Sequence, residues 1–337
     1  MLLLTVWGAL LAGSGAAWAD PGGGERLLAR YPVLKAELDK NPFGAPIHLD
    51  STETSRSVVV DMYGVFPHPF AVIKEALRNP PNWCDITSLH INVKACTTAK
   101  SGDQWYVTIY NGRKYYQPPS DAYPLKLKFN LASDTADYLN INMSADQGPL
   151  HTKDHRINLE AAPLDNDKTF VHFSYTYSYG PMAKMAIKSY FATIGRDKVG
   201  FSVVAGKGGR YYYVGGVRGA VERNTVRYYL AVETFVDTLK YPAGERLEKR
   251  LSRWYDLTSR YPRQLKEMDK AEYLATKRRE HGNMITLQKG NLSSEQDSEG
   301  AASGRIRASL AAGEAAAQTN AGQTPAQTLP GQRVAAD

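Results

Sequence analysis

Residues 171–179, VHFSYTYSY, alternate between two kinds of side chain. One parity consists of apolar and aromatic residues, and the other of small or polar ones: Val171, Phe173, Tyr175, Tyr177 and Tyr179 against His172, Ser174, Thr176 and Ser178. Alternation with a period of two predicts a β-strand with one buried face and one face in water. A sheet of such strands needs another element to cover its apolar face.

Neighbouring segments repeat this alternation, which predicts a whole antiparallel sheet. Leu125, Leu127, Phe129 and Leu131 alternate with polar residues, as do Leu139, Ile141 and Met143. Further strands are predicted at residues 56–63, 89–97, 104–115 and 153–161, with turn sequences such as Ser101-Gly102 between several of them. The pattern indicates about six to seven strands.

Residues 217–240 change to the period of a helix. At about 100° per residue, one stripe carries seven residues: Val217, Val221, Asn224, Tyr228, Ala231, Phe235 and Leu239. Such a stripe is typical of a helix that covers a sheet. Shorter helices are predicted at residues 67–78 and 182–194.

This order of elements resembles the START-like (SRPBCC) superfamily of helix-grip lipid-transfer domains, polyketide cyclases and aromatases. Members typically carry an acid-Pro-x-x-Trp motif after the first helix, and residues 79–83, NPPNW, are similar to it with Asn in place of the acid. The resemblance covers about residues 55–240. It implies an α+β, helix-grip fold, in which a curved antiparallel sheet wraps around the long C-terminal helix, with extra helices after it.

Residues 181–216 depart from the family pattern, because members usually pass directly from the last strand into the long helix. The inserted segment contains a predicted helix and a glycine-rich stretch. It is interpreted as a lid over the cavity mouth, since glycines give a permissive backbone, or as padding of the sheet edge.

The N-terminus predicts export. Residues 1–13 form an apolar run of the length of a signal-peptide core, although no basic residue precedes it, and small residues up to Ala19 predict cleavage there. The alternative is a buried N-terminal helix. For an exported bacterial member of the superfamily, we expect a periplasmic location.

The remaining boundaries follow composition. Residues 20–54 are predicted as a helical leader, 55–240 as the START-like domain, 241–289 as a basic helical extension and 290–337 as a disordered tail rich in Ser, Gly, Ala and Gln.

Cys84 and Cys96 are the only cysteines. An oxidising compartment favours a disulfide between them, with two free buried thiols as the alternative.

A sheet that grips a helix leaves a cavity wherever the facing side chains do not fill the space, so the expected ligand is a lipid or another hydrophobic small molecule. Polar residues at inward positions are the candidate ligand-binding residues: His155, Tyr175, Tyr177, Asn224, Arg227 and Tyr228. Arg227 can offer two donors to a ligand carboxylate or phosphate. The alternative for each residue is a hydrogen-bonded core position.

Catalytic motifs are absent from the sequence: it has neither a G-x-S-x-G elbow nor an H-E-x-x-H helix. His151 and His155 would lie about 13 Å apart along a strand, too far to share a metal ion. No metal or cofactor is predicted. The enzymatic alternative, implied by cyclase-like relatives, is a cyclase, dehydratase or hydrolase in which His155 moves a proton with Tyr175 or Tyr177.

A net charge of +7 is compatible with anionic membranes or acidic ligands, while predicted export disfavours nucleic acid. In the basic extension, Leu247, Leu251, Trp254, Thr258 and Tyr261 recur at helical spacing. This helix either lies on an anionic membrane or, as we favour, packs its apolar side on the domain. A third hypothesis is a filled scaffold whose extension and tail dock a partner protein.

Overall fold

Eight antiparallel strands form one curved sheet. The computed structural model describes residues 22–165, 167–185 and 198–292. The strands are β1 (Ile47–Glu53), β2 (Ser57–Phe66), β3 (Val93–Ser101), β4 (Gln104–Asn111), β5 (Tyr123–Asp134), β6 (Leu139–Gln147), β7 (Thr152–Leu164) and β8 (Lys168–Tyr179). They pair in the order β1-β2-β8-β7-β6-β5-β4-β3. A small separate hairpin pairs β9 (Val203–Ala205) with β10 (Tyr211–Tyr213).

The helices are α1 (Gly23–Asp39), α2 (Phe70–Leu77), α3 (Asn82–Thr87), α4 (Gly216–Asp237), α5 (Ala243–Thr258) and α6 (Pro262–Leu265). Residues 181–185 and 270–292 are also helical. The chain divides into two units, residues 1–288 and 289–337, and the structure describes residues 289–292 of the second.

The strand order and the position of α4 make this a helix-grip fold, so the predicted α+β fold is confirmed. Strands β3 to β8 form a meander, and α2 and α3 carry the chain from β2 to the opposite edge at β3. The long helix α4 packs on β1, β2 and β8. The inward parities are the predicted ones, with Leu127, Ile141 and Phe173 all buried in the core.

The sheet has eight strands instead of the predicted six to seven, because the segment assigned to a helical leader also contains β1. This strand pairs with β2 along its whole length, beginning with Ile47 opposite Gly64. Buried and exposed residues alternate only weakly along β1, because Ile47 is its only fully buried residue. The preceding helix, α1, packs Leu34 and Leu38 near Phe170 and covers part of the face predicted to be wet.

The long helix α4 is buried on more than one side, so the prediction of a single apolar stripe was too narrow. Val226 and Leu230 lie outside that stripe and are also buried. Helix α5 packs on the side away from the sheet, where the Trp254 indole donates a hydrogen bond of 3.0 Å to the Arg227 carbonyl. Leu251 and Trp254 therefore face the domain and not the solvent, in agreement with the favoured interpretation of the basic extension.

Two contacts fix the region around β3. Cys84 of α3 and Cys96 of β3 form a disulfide, with a Cα–Cα distance of 5.1 Å. At the outer edge of β3, the Thr98 backbone N–H donates to the Gln288 side-chain oxygen at 2.8 Å, and the Gln288 amide donates to the Thr98 carbonyl at 2.9 Å. Gln288 thus bonds to the edge strand as a residue of a further strand would.

Several predicted segments lie wholly or partly outside the described residues. The signal peptide, residues 1–19, is outside them, as is the predicted tail apart from residues 290–292, which are helical. Of the helix predicted at residues 182–194, residues 182–185 are helical and the others are outside the described part. The lid interpretation of residues 181–216 stays a prediction.

Candidate functional site

A cavity of about 770 Å³ lies between the concave face of the sheet and α4. The helix packs against one half of the sheet, β1, β2 and β8, and the other strands curve past it without filling the space. Apolar side chains make up much of the wall: Trp83, Ile86, Ile109, Leu125, Met143, Ile157, Phe173 and Val232. The volume falls within the range of pockets that hold drug-sized ligands, whereas a filled scaffold would lack such a space.

The two ends of the cavity differ in exposure. Trp83, Ile86 and Val232 are each no more than 2% exposed and form an interior end. At the other end, Tyr115 and Tyr123 are about half exposed and border the opening. A ligand would therefore enter past aromatic side chains and reach an apolar interior.

His155 lies in the cavity wall with both ring nitrogens bonded to the protein. Its Nε2 is 2.9 Å from the Thr152 hydroxyl, and its Nδ1 is 3.0 Å from the Tyr175 hydroxyl. The Thr152 hydroxyl donates to the Pro149 carbonyl at 2.6 Å, so its oxygen accepts from Nε2–H. Nδ1 then accepts from Tyr175, and this assigns the tautomer. Burial lowers the pKa of His155 to about 4, which keeps the ring neutral at pH 7.

Tyr175 and Tyr177 extend this wall along β8. The Tyr177 ring stacks on His155 with a centroid distance of 5.3 Å. Burial raises the pKa of both tyrosines well above the ordinary value, so their hydroxyls remain protonated. Because the proton-accepting nitrogen of His155 is already taken by Tyr175, this arrangement suits the binding of a ligand better than proton transfer to it.

Asn224 and Tyr228 reach the cavity from α4 and contact a histidine that the sequence did not single out. The His90 Nδ1 accepts from the Asn92 backbone N–H at 3.1 Å, so its Nε2–H donates to the Asn224 side-chain oxygen at 3.2 Å. The His90 ring also stacks on Tyr228 at 4.8 Å. Burial lowers the pKa of His90 well below its usual value, which makes it a neutral support for this wall.

Arg227 is buried and bonded within the protein. Its Nη2 donates to Glu267 at 3.1 Å and to the Leu265 carbonyl at 3.2 Å. Glu267 also faces Lys198 at 3.2 Å and Lys114 at 3.3 Å. Burial raises the pKa of Glu267, but the three cations outweigh this and hold it below the usual value.

All six residues predicted to bind ligand line the same cavity: His155, Tyr175, Tyr177, Asn224, Arg227 and Tyr228. Their role as ligand contacts stays a prediction. The sequence reasoning missed the other charged lining residues, which include Lys114, Lys198, Arg223 and Glu267. Of these four residues, only Arg223 could have been found from the sequence, because it lies one helical turn before Arg227.

The described residues contain no group of three or more His, Cys, Asp or Glu side chains placed to hold a metal ion. Within the same part of the chain, every helix is too short or too polar to cross a bilayer.

No family model matches the chain, and no curated protein matches it in sequence. Solved structures that match include human StAR-related lipid transfer protein 5, with 8% identity, 65% of this chain and 98% of that chain covered, and a TM-score of 0.33. Truncated norcoclaurine synthase from Thalictrum flavum has 12% identity, coverages of 43% and 91%, and a TM-score of 0.31. Ara h 8.0201 has 11% identity, coverages of 56% and 97%, and a TM-score of 0.32.

Proposed function

We propose that this protein binds a lipid or another hydrophobic small molecule in the cavity between the sheet and α4. The observation that carries the proposal is the cavity of about 770 Å³ with its largely apolar wall. Voids in packed protein interiors are usually little larger than a water molecule, so a space of this size points to a ligand. Transfer of apolar ligand surface from water into it is favourable by about 25 cal/mol per Å².

The polar groups in the wall support selective binding over unspecific uptake. The Tyr175 hydroxyl is held by His155, and the Asn224 side-chain oxygen is held by His90. Side chains fixed in this way present their groups in one orientation and lose little freedom when a ligand binds. We expect a ligand with few polar groups, placed to meet this part of the wall.

The proposal includes a location outside the cytoplasm, in the periplasm. The apolar run at residues 1–13 and the small residues before Ala19 support export. The Cys84–Cys96 disulfide is consistent with an oxidising compartment. Fractionation of cells that express the full chain tests this part, and recovery of the protein in the cytoplasmic fraction with reduced cysteines would contradict it.

We also propose peripheral contact with an anionic membrane, at the cavity rim. The apolar side of α5, including Trp254, is buried and does not serve this purpose. Around the opening, Tyr115, Tyr123 and Leu150 are each about half exposed, beside the exposed Arg113. Aromatic, aliphatic and basic side chains together favour a headgroup layer. Binding to vesicles with and without phosphatidylglycerol, for the wild type and Leu150→Asp, tests this route of entry.

The main experiment looks for the ligand itself. Organic extracts of natively purified protein are analysed by mass spectrometry, and the protein is titrated with N-phenyl-1-naphthylamine, a neutral fluorescent probe of apolar sites. Ile157→Trp places a larger side chain in the cavity wall, and we expect it to abolish probe binding while the circular dichroism spectrum is retained.

The matched control is Val72→Trp, on α2, because Val72 is 40% exposed and is not among the lining residues. It should bind the probe as the wild type does. The proposal fails if wild-type protein yields no small molecule and binds no probe, or if Ile157→Trp binds the probe with unchanged affinity.

A further inference from the structure

Positive charge is concentrated in one part of the cavity wall. Five cationic residues line the cavity: Arg113, Lys114, Lys198, Arg223 and Arg227. We call this set the cationic neck. The acidic lining residues within the described part of the chain are Asp121 and Glu267. Among the lining residues that the structure describes, cations therefore exceed anions, and the other side chains are mostly uncharged.

One carboxylate holds much of the cationic neck together. Glu267 lies 3.1 Å from Arg227, 3.2 Å from Lys198 and 3.3 Å from Lys114. These three cations outnumber the carboxylate that they share. An anion that enters this part of the cavity would meet positive charges that water screens only partly.

On α4, Arg223 adds a further cation beside Arg227. Arg223 and Arg227 are four residues apart, so they project from the same side of the helix on successive turns. The residues are 6% and 3% exposed, respectively. Like charges at this spacing repel each other, and water screens buried charges only weakly.

Charge and apolar surface are separated along the cavity. On α4, Val232 lies five residues beyond Arg227 and nine beyond Arg223, which corresponds to about 7.5 and 13.5 Å along the helix axis. Val232, Ile86 and Met143 line the buried end and bear no charge. Arg113, by contrast, is exposed at the opening. The cavity therefore presents an apolar interior followed by the cationic neck toward the solvent.

We propose that the bound molecule is an amphiphile with an anionic head, and that its head binds the cationic neck while its apolar part fills the interior end. The head carries carboxylate or phosphate oxygens, which arginine and lysine both bind and which arginine can bind with two donors. This inference rests on the proposed function and adds the chemical class of the ligand.

The test compares molecules that share one apolar chain and differ in the head. Oleic acid, oleyl phosphate and oleyl alcohol compete with N-phenyl-1-naphthylamine for the full-length protein at pH 7.5. We expect at least one anionic competitor to displace the probe at a concentration about tenfold below that of oleyl alcohol, since charge-assisted hydrogen bonds contribute at least this factor. Comparison of oleic acid with oleyl phosphate distinguishes a carboxylate head from a phosphate head.

Arg223→Gln and Lys198→Gln each remove one charge from the neck. Both should reduce the preference for the anionic competitor, measured against oleyl alcohol on the same variant, to about threefold or less. Because the Lys198 side chain is 26% exposed, its variant should fold even if Arg223→Gln does not. The control is Arg278→Gln, which removes one charge from an exposed pair with Glu248 and should retain the full preference.

The outcomes separate this inference from the proposed function. Probe binding without any preference for an anionic head would overturn the inference and leave the proposed function standing. A preference that survives in Lys198→Gln and Arg223→Gln would also overturn it. Absence of probe binding in the wild type would contradict the proposed function, and the inference with it.

Discussion

The hydroxyl group of Tyr229 lies against the backbone of Gly64, at a point where a β-carbon on Gly64 would overlap it. Tyr229 belongs to α4, and Gly64 lies in β2 between Ile47 of β1 and Val171 of β8. The absence of a side chain at Gly64 allows the helix to approach this half of the sheet closely. The cavity is the space left over the other half.

Gly64→Ala should therefore destabilise the protein. The new methyl group has to displace a buried tyrosine, and overpacking of this kind costs about 1–3 kcal/mol in the free energy of unfolding. Urea denaturation measures the loss. The control is Gly244→Ala in the first turn of α5, where an added β-carbon meets nothing within 4 Å; it should be neutral or slightly stabilising. Equal urea midpoints for Gly64→Ala and the wild type would contradict this account.

Because of His172, on the convex face, the protein should become less stable as the pH becomes alkaline. Its ring lies 2.8 Å from Asp61 and 2.8 Å from Glu160. Burial lowers the pKa of His172, but the two carboxylates outweigh this effect and raise it to about 9 from 6.5. Its stabilising contribution is complete below pH 6.5 and is lost as the pH rises to about 9. The loss amounts to about 3 kcal/mol.

Urea denaturation of the wild type and His172→Gln between pH 6 and pH 9.5 isolates this contribution. The wild type should lose about 3 kcal/mol more than the variant over that range, because only the wild type releases this proton. Parallel stability curves for the two proteins would show that His172 is not held as a cation.

For His155 we expect a neutral ring with the proton on Nε2 at pH 7. Long-range ¹H–¹⁵N correlation spectra report both the charge and the tautomer. Since burial lowers its pKa to about 4, this residue's contribution to stability decreases as the pH falls from 6.5 toward 4, opposite in direction to that of His172. Detection of a His155 cation at pH 6, or of the Nδ1–H tautomer, would refute the assignment.

Tyr175→Phe tests the same hydrogen bond from the other side. The variant leaves the His155 Nδ1 without its donor, at a cost of about 1–3 kcal/mol. Tyr115→Phe is the control, because Tyr115 is half exposed and its hydroxyl accepts a bond from the exposed Arg113; we expect little change. A Tyr175→Phe protein as stable as the wild type would argue that the bond contributes nothing.

Glu280 is expected to be essential for folding stability. It accepts hydrogen bonds from Lys94 at 2.6 Å and Lys277 at 2.8 Å, and all three residues are buried. Glu280→Gln would leave two lysines without a buried counter-ion, which costs about 3–5 kcal/mol. Glu248→Gln breaks an exposed pair with Arg278 and should cost at most about 1 kcal/mol. Thermal unfolding of the two variants, measured side by side, tests whether loss of the buried carboxylate destabilises the protein more than loss of the exposed one.

The inward and outward faces of the strands could be predicted because successive side chains of a strand point to opposite faces of the sheet. In residues 171–179, alternation alone placed Phe173 and Tyr175 on the inward face, next to the cavity. Strand β1 could not be found in this way, since it lies at an edge and buries only Ile47 completely. The burial of α4 on the side away from the sheet depends on α5. No pattern within α4 predicts this second packing partner, which includes Trp254.

The site was predictable only where its residues lie on a regular element. Asn224 and Tyr228 follow from the period of the helix, and His155 from the period of its strand. Lys114, Lys198 and Glu267 come from separate connecting segments and meet only in the folded chain. No spacing along the sequence relates these three residues, so the charges of the cationic neck could be found only from the three-dimensional structure.

Gln288 has a consequence for association between copies of the chain. An unpaired strand edge can recruit a strand from another molecule, and natural proteins block such edges. Here one side-chain amide occupies the Thr98 backbone groups on the free side of β3. Proteolysis upstream of Gln288 would uncover this edge, and the trimmed product should aggregate where the intact protein stays dispersed.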